Sequence, residues 1–121
     1  LFVNANHLPN GQEIEIHQIR ITALEEETQV APEGVHQDGF DHIAMVGVGR
    51  HNIIGGDIML YSSHNQAPFF RKVLETGEVA ILADSKLWHN ACPIRSVIDD
   101  EAGHMDVFVL TATDKRNELQ S

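Results

Sequence analysis

Short runs of β-branched and aliphatic residues recur along this chain at intervals of about ten residues, each closed by turn-forming chemistry. Hardly any stretch repeats its apolar positions with the helical period. Such a chain makes short strands, and a sheet of short strands must close or double to hide its edges. The pattern predicts an all-β sandwich or jelly roll of about seven or eight strands. The expected strands run over Gln12 to Thr22, His42 to Val48, Asp57 to Tyr61, Phe69 to Leu74, Val79 to Ala83, Trp88 to Ala91 and Asp106 to Thr113. Asn52 to Gly56 reads as a turn ending in paired glycines, and Thr76-Gly77-Glu78 as another. In the first strand the apolar positions change parity, from Ile14 and Ile16 to Ile19 and Ile21, which implies a bulge or burial of both faces. Gln18 and Arg20 then share one face. The acidic stretch from Glu25 to Gly34 reads as a solvated loop able to act as a lid.

The 121 residues suit a single domain over residues 1–121, and no apolar run approaches the roughly 18 to 20 residues of a spanning helix. A formal charge of −10 opposes phosphate backbones and anionic membrane surfaces, so a small-molecule partner is expected rather than nucleic acid or membrane. One cysteine, Cys92, excludes an internal disulfide framework. With no charged-then-apolar leader in view, a reducing cytoplasmic location is the expectation.

The residues with chemistry to offer are histidines and carboxylates. His36 and Asp38 stand two apart, so on extended backbone both side chains leave one face and can meet one ion. With eight histidines and eight aspartates present, about half an accidental His-x-Asp pair is expected, and a second exists at His104 and Asp106. Context separates the two. Gly34 and Gly39 bracket the first pair at a loop-to-strand junction, whereas the second opens the last strand among charged residues and reads as a surface pair. His89, several strands later, returns to the neighbouring part of a rolled sheet. Two histidines and one carboxylate on one face of a metal leave the other face open, which suits iron(II) binding a chelating cosubstrate and oxygen. Cys92 lacks the clustered partners of a zinc site.

The segments His17-Gln18-Ile19-Arg20, Gly34-Val35-His36-Gln37-Asp38-Gly39, Asn52-Ile53-Ile54-Gly55-Gly56-Asp57 and Trp88-His89-Asn90-Ala91-Cys92-Pro93-Ile94 follow in that order. Together they resemble the catalytic half of bacterial iron(II)/2-oxoglutarate-dependent dioxygenases that hydroxylate free aliphatic amino acids, the L-isoleucine 4-hydroxylase family. The resemblance covers nearly the whole chain. It implies a cupin-like double-stranded β-helix without the family's mostly helical N-terminal portion. It further implies Fe(II) held by His36, Asp38 and His89, and O2 with 2-oxoglutarate as cosubstrates. The expected reaction hydroxylates an unactivated carbon and releases succinate and CO2.

The distal carboxylate of 2-oxoglutarate needs a fixed cation, for which arginine's bidentate fork is suited. Family members carry an Arg-Asp pair at the start of the last strand, where this chain reads Met105-Asp106. Arg95 is the first replacement expected, Arg20 on an inward polar face the second, and Tyr61 a further donor. The remaining histidines, Trp88 and Cys92 read as structural or exposed, and Asp84 with Lys86 as a turn ion pair ahead of a contribution to the pocket rim. Two other functions fit a jelly roll: a cupin-like metal enzyme independent of 2-oxoglutarate, and a non-catalytic metal-binding module.

Overall fold

The computed structural model describes residues 13–24 and 27–113. The expected strand start at Gln12, the histidine His7, and Glu25 and Glu26 of the acidic stretch lie outside the described residues. In chain order the strands are β1 (Glu15–Ala23), β2 (His42–His51), β3 (Ile53–Gly55), β4 (Ile58–Tyr61), β5 (Phe70–Lys72), β6 (Val79–Leu82), β7 (Trp88–Ala91), β8 (Ile94–Ser96) and β9 (Gly103–Ala112). No helix occurs among the described residues, so none there crosses a membrane, and every strand pairing is antiparallel.

The strands form a four-stranded sheet in the order β1-β9-β2-β6, a three-stranded sheet β5-β4-β7 and a two-stranded ladder β3-β8. A bridge between His36 and His89, with reciprocal backbone hydrogen bonds of 2.9 Å, continues the smaller sheet past β7. Thr28 bridges to Ile94 in the same manner. The architecture is the expected double-stranded β-helix.

Alternation along the strands builds the interior. Ile43, Ile58, Leu60, Leu74 and Leu82 form one buried cluster, with Met45 and Val109 against it. Ala23, Ile94 and Met105 form a second, joined by Ile21 and Val107. The four-stranded sheet also carries apolar side chains on its outer face, where Ala44 and Ala112 pack with Ile14 and Leu110. That explains the parity change in β1. Its register with β9 runs unbroken from Glu15↔Thr111 to Ala23↔Gly103, so β1 has no bulge and both of its faces are apolar. The bulge lies in β2, between Gly47 and Gly49.

The segment expected to be a turn at Asn52 to Gly56 contains β3, paired with β8. Chain contact there is very close: a Cβ on Gly55 would collide with the Pro93 carbonyl oxygen, so only glycine lets the two backbones meet. The acidic stretch is also less free than a solvated loop. Thr28 is tied to β8, and Val30, Ala31 and Glu33 line a cavity between the sheets.

Candidate metal centre

The loop from Gly34 to Gly39 delivers two side chains to one point. Both glycines hold left-handed backbone, φ 74° and 88°, which lets a short segment turn in and out around His36 and Asp38. The bridge to His89 fixes the third side chain beside them. Ligand atoms of His36, Asp38 and His89 all lie within 4.8 Å of one another. The imidazole centroids are 4.2 Å apart.

The donor set fits a cation. His36 Nδ1–H donates to the Gly34 carbonyl at 2.7 Å, which leaves Nε2 as a lone pair. That lone pair faces Asp38 Oδ1 at 3.1 Å and Glu33 Oε1 at 3.2 Å. His89 Nε2 stands 3.1 Å from Asp38 Oδ2. The His36 lone pair and these carboxylate oxygens abut as acceptors, which a positive ion between them would relieve, while His89 Nε2 is hydrogen-bonded to Asp38 Oδ2. Neighbouring ligands around a metal with bonds of about 2.1 Å are separated by about 3 Å, close to these spacings. Asp38 is held below the usual carboxylate range, chiefly by its hydrogen bond to His89, against the opposing effect of burial. It is therefore a ready anionic ligand.

Behind the ligands sits a residue the sequence misplaces. Asp84 is fully buried and makes no ion pair with Lys86. The backbone N–H of Asp38 donates to its two oxygens at 3.3 and 3.0 Å, and that of Phe40 to Oδ2 at 3.1 Å. His89 Nδ1 lies 3.4 Å from Asp84 Oδ1, within range of attraction but outside hydrogen-bond geometry, so it has no hydrogen-bond partner. Each histidine thus turns Nδ1 toward an acceptor and Nε2 toward Asp38, the orientation in which outer acceptors set metal-binding imidazoles.

The three ligands open onto a cavity of about 250 Å3. Its walls are largely apolar, with Ile19, Ile43, Val107 and Val109 from the larger sheet and Ile58 and Ala91 from the smaller. A wider hollow of about 570 Å3, bordered by Thr22, Leu24 and the acidic run Asp99 to Glu101, shares no residue with it. Of the two, only the smaller is bordered by His36, Asp38 and His89.

A profile of the 2OG-Fe dioxygenase family matches residues 1–111. The chain belongs to this family. Iron(II), 2-oxoglutarate and O2 are the family's cofactor and cosubstrates, and His36, Asp38 and His89 form a group able to bind the iron. Among solved structures, a bsmA homolog from Methylobium petroleophilum PM1 is 30% identical, with a TM-score of 0.73 over 84% of this chain and 40% of that one. IDO from Bacillus thuringiensis is 21% identical, with a TM-score of 0.75 over 84% and 48% of the two chains. The Fe(II)/α-ketoglutarate-dependent dioxygenase TqaL is 14% identical, with a TM-score of 0.72 over 84% and 41%. The chain thus spans less than half the length of each. No curated protein matches it.

The residues expected to hold the distal carboxylate of the family's cosubstrate are not brought to the cavity. Arg20 is on the outer face, 62% exposed, and its guanidinium donates two bonds to Asp106 at 2.7 and 2.9 Å. The unbroken β1–β9 register places it there, opposite Asp106. Arg95 pairs with the exposed Ile54 on β3, between the buried Ile94 and Ser96, and points to solvent. Tyr61 is buried, but it stands opposite Trp88, one position out of phase with His89, and its hydroxyl faces Met59 Sδ at 3.6 Å. His104 and Asp106 form a loose contact of 3.8 Å, as a surface pair should. Cys92 contacts Arg71 and Met59, and no cysteine joins a metal-binding group among the described residues.

Proposed function

We propose that this chain is the catalytic roll of an iron(II)- and 2-oxoglutarate-dependent oxygenase that hydroxylates an unactivated carbon of a small free substrate, an aliphatic L-amino acid. The observation that carries the reading is the His36-Asp38-His89 group bordering a largely apolar, partly open cavity of about 250 Å3. Its size suits a small molecule rather than a polymer. Family membership and the ordered segments around the ligands support the same reading.

Iron bound at the triad supplies coupling of O2 reduction to oxidative decarboxylation of 2-oxoglutarate. One oxygen atom enters succinate, CO2 leaves, and the other replaces a substrate C–H with C–OH. The protein's own residues supply position and dryness. His36 and His89 present Nε2, the first held by the Gly34 carbonyl, the second with Nδ1 turned toward the Asp84 carboxylate at 3.4 Å. Ile19, Ile43, Val107 and Val109 exclude water from the reacting carbon and receive an aliphatic side chain. Glu33, at the cavity beside His36, is a carboxylate placed to meet a substrate ammonium. The lone Cys92 and the ferrous iron suit a cytoplasmic enzyme.

Anaerobic addition of Fe(II) and 2-oxoglutarate should produce the weak visible charge-transfer band of a chelated 2-oxo acid. Admitting O2 with a panel of free amino acids should then release succinate and a hydroxylated product in equal amounts for an aliphatic member. Succinate release that no amino acid accelerates would refute the substrate. A folded protein that binds iron without the band would be a metal-binding module independent of 2-oxoglutarate.

A further inference from the structure

Uninterrupted alternation along β2 would set Arg50 with Val46 and Val48 on the outer face of the larger sheet. The bulge between Gly47 and Gly49 reverses this, and Arg50 stands opposite Met105. Directly opposed residues of an antiparallel pair share a face. Met105 and its other cross-strand neighbour, Ile21, both line the cavity, so Arg50 is turned inward. Two contacts place its head. Nη2–H donates to the Gly55 carbonyl at 2.9 Å, and Nη1 lies 3.5 Å from where a Cβ on Gly56 would stand, Gly56 itself being part of the cavity wall. Arg20 and Arg71 are satisfied by Asp106 and Asp57, whereas Arg50 has no carboxylate partner among the described residues. Arg50 does not itself line the cavity, but a half-buried guanidinium lying behind its Gly56 wall without a carboxylate partner calls for an anion from outside the chain.

The spacing suits one. On the smaller sheet the level of His89 is marked by Leu60, and Gly56 lies four residues further along, about 13 Å at roughly 3.3 Å per residue. A dicarboxylate chelated at the triad, met by a guanidinium reaching to Gly56, fills such a span. We propose that Arg50 binds the distal carboxylate of 2-oxoglutarate, moving to β2 the cation that family members carry on β9, where this chain has Met105. This rests on the cosubstrate named under Proposed function.

The test compares two ligands of the full chain loaded with Fe(II) under anaerobic conditions: 2-oxoglutarate and 2-oxopentanoate, which has a methyl in place of the distal carboxylate. Affinities are read from the charge-transfer band. The wild type should prefer 2-oxoglutarate by roughly 10- to 100-fold, the range of a bidentate charged contact. Arg50→Met should reduce that preference to near one by weakening 2-oxoglutarate alone, while Fe(II) affinity and binding of 2-oxopentanoate stay unchanged. Arg95→Met should preserve it. If Arg50→Met does not fold, Arg50→Lys carries the test, because a lysine lacks the fork and must give a reduced preference. An undiminished preference in the folded Arg50 variant, or its collapse in Arg95→Met, overturns the assignment. Equal binding of the two ligands by wild type refutes the cosubstrate itself, which separates that failure from this one.

Discussion

Asp84→Asn is the sharpest test of how the proposed iron ligands are held. In the native chain a fully buried carboxylate accepts the backbone N–H of Asp38 and of Phe40, and it is the acceptor nearest His89 Nδ1. Hydrogen bonds to a charged acceptor contribute about 1.5–3 kcal/mol each, and donors left without a partner carry the full desolvation cost. Asp84→Ala strips both, an effect of up to about 6 kcal/mol on a domain whose total stability is of order 5–15 kcal/mol, so its unfolding would say little about the site. Asparagine keeps the volume and one carbonyl acceptor. Both backbone amides donate to Oδ2, so a carbonyl there can keep them, now as bonds to a neutral acceptor; the amide donor at the Oδ1 position loses the 3.3 Å contact from Asp38 N–H and the charge facing His89 Nδ1, at about 1.5–3 kcal/mol in all. Loosening the Asp38 loop and the His89 ring together should weaken metal binding about 10- to 100-fold, the usual range for an outer residue that orients ligands. Calorimetric titration with Mn(II), an oxygen-inert stand-in for iron, measures the affinity, and amide hydrogen exchange at Asp38 and Phe40 measures the anchoring. An affinity within about twofold of wild type, with exchange at both amides unchanged, would refute the reasoning.

His36→Ala or Asp38→Ala should abolish metal binding in the same titration, and His104→Ala should leave it intact; equal losses in all three would show that the wrong His-x-Asp pair holds the ion. Gly56→Ala should destabilise the fold by about 1–2 kcal/mol in chemical denaturation, because φ is +77° and the new Cβ would lie 3.1 Å from Ile94 Cγ2 and Met105 Sδ. Arg20→Met should leave 2-oxoglutarate affinity within a factor of about two, since Arg20 meets Asp106 outside the cavity. The same variant should be less stable near neutral pH and lose less stability on acidification. Arg20 holds Asp106 below its ordinary value, so that pair's stabilisation is complete above the unfolded-state value and disappears as pH falls through the lower folded one; removing Arg20 flattens that part of the stability curve, and unfolding followed against pH should show it.

Positions set by local spacing were legible in the sequence, and positions set by register were not. His36 and Asp38 needed only a two-residue step and flanking glycines to be found, and β4, β6 and β7 needed only short apolar runs between turns. β3 was hidden because Ile53 to Gly55 is a three-residue ladder inside a segment rich in turn residues, and its partner β8 follows Pro93 directly. Asp84 reads as part of an exposed Asp-Ser-Lys turn, since nothing in the chain announces that two backbone amides from residues 38 and 40 will fold over it. Arg20 and Arg50 show the limit most clearly. Alternation alone leaves the face of Arg20 ambiguous because β1 is apolar on both sides, and the sheet settles it outward, onto Asp106. Alternation gives the wrong face for Arg50, because one extra residue between Gly47 and Gly49 inverts everything after it. A glycine-flanked valine is the only trace that bulge leaves in the sequence. An arginine therefore changes face without any change in composition or charge, and only the paired register of β2 and β9 turns Arg50 to the side of the sheet that carries Met105.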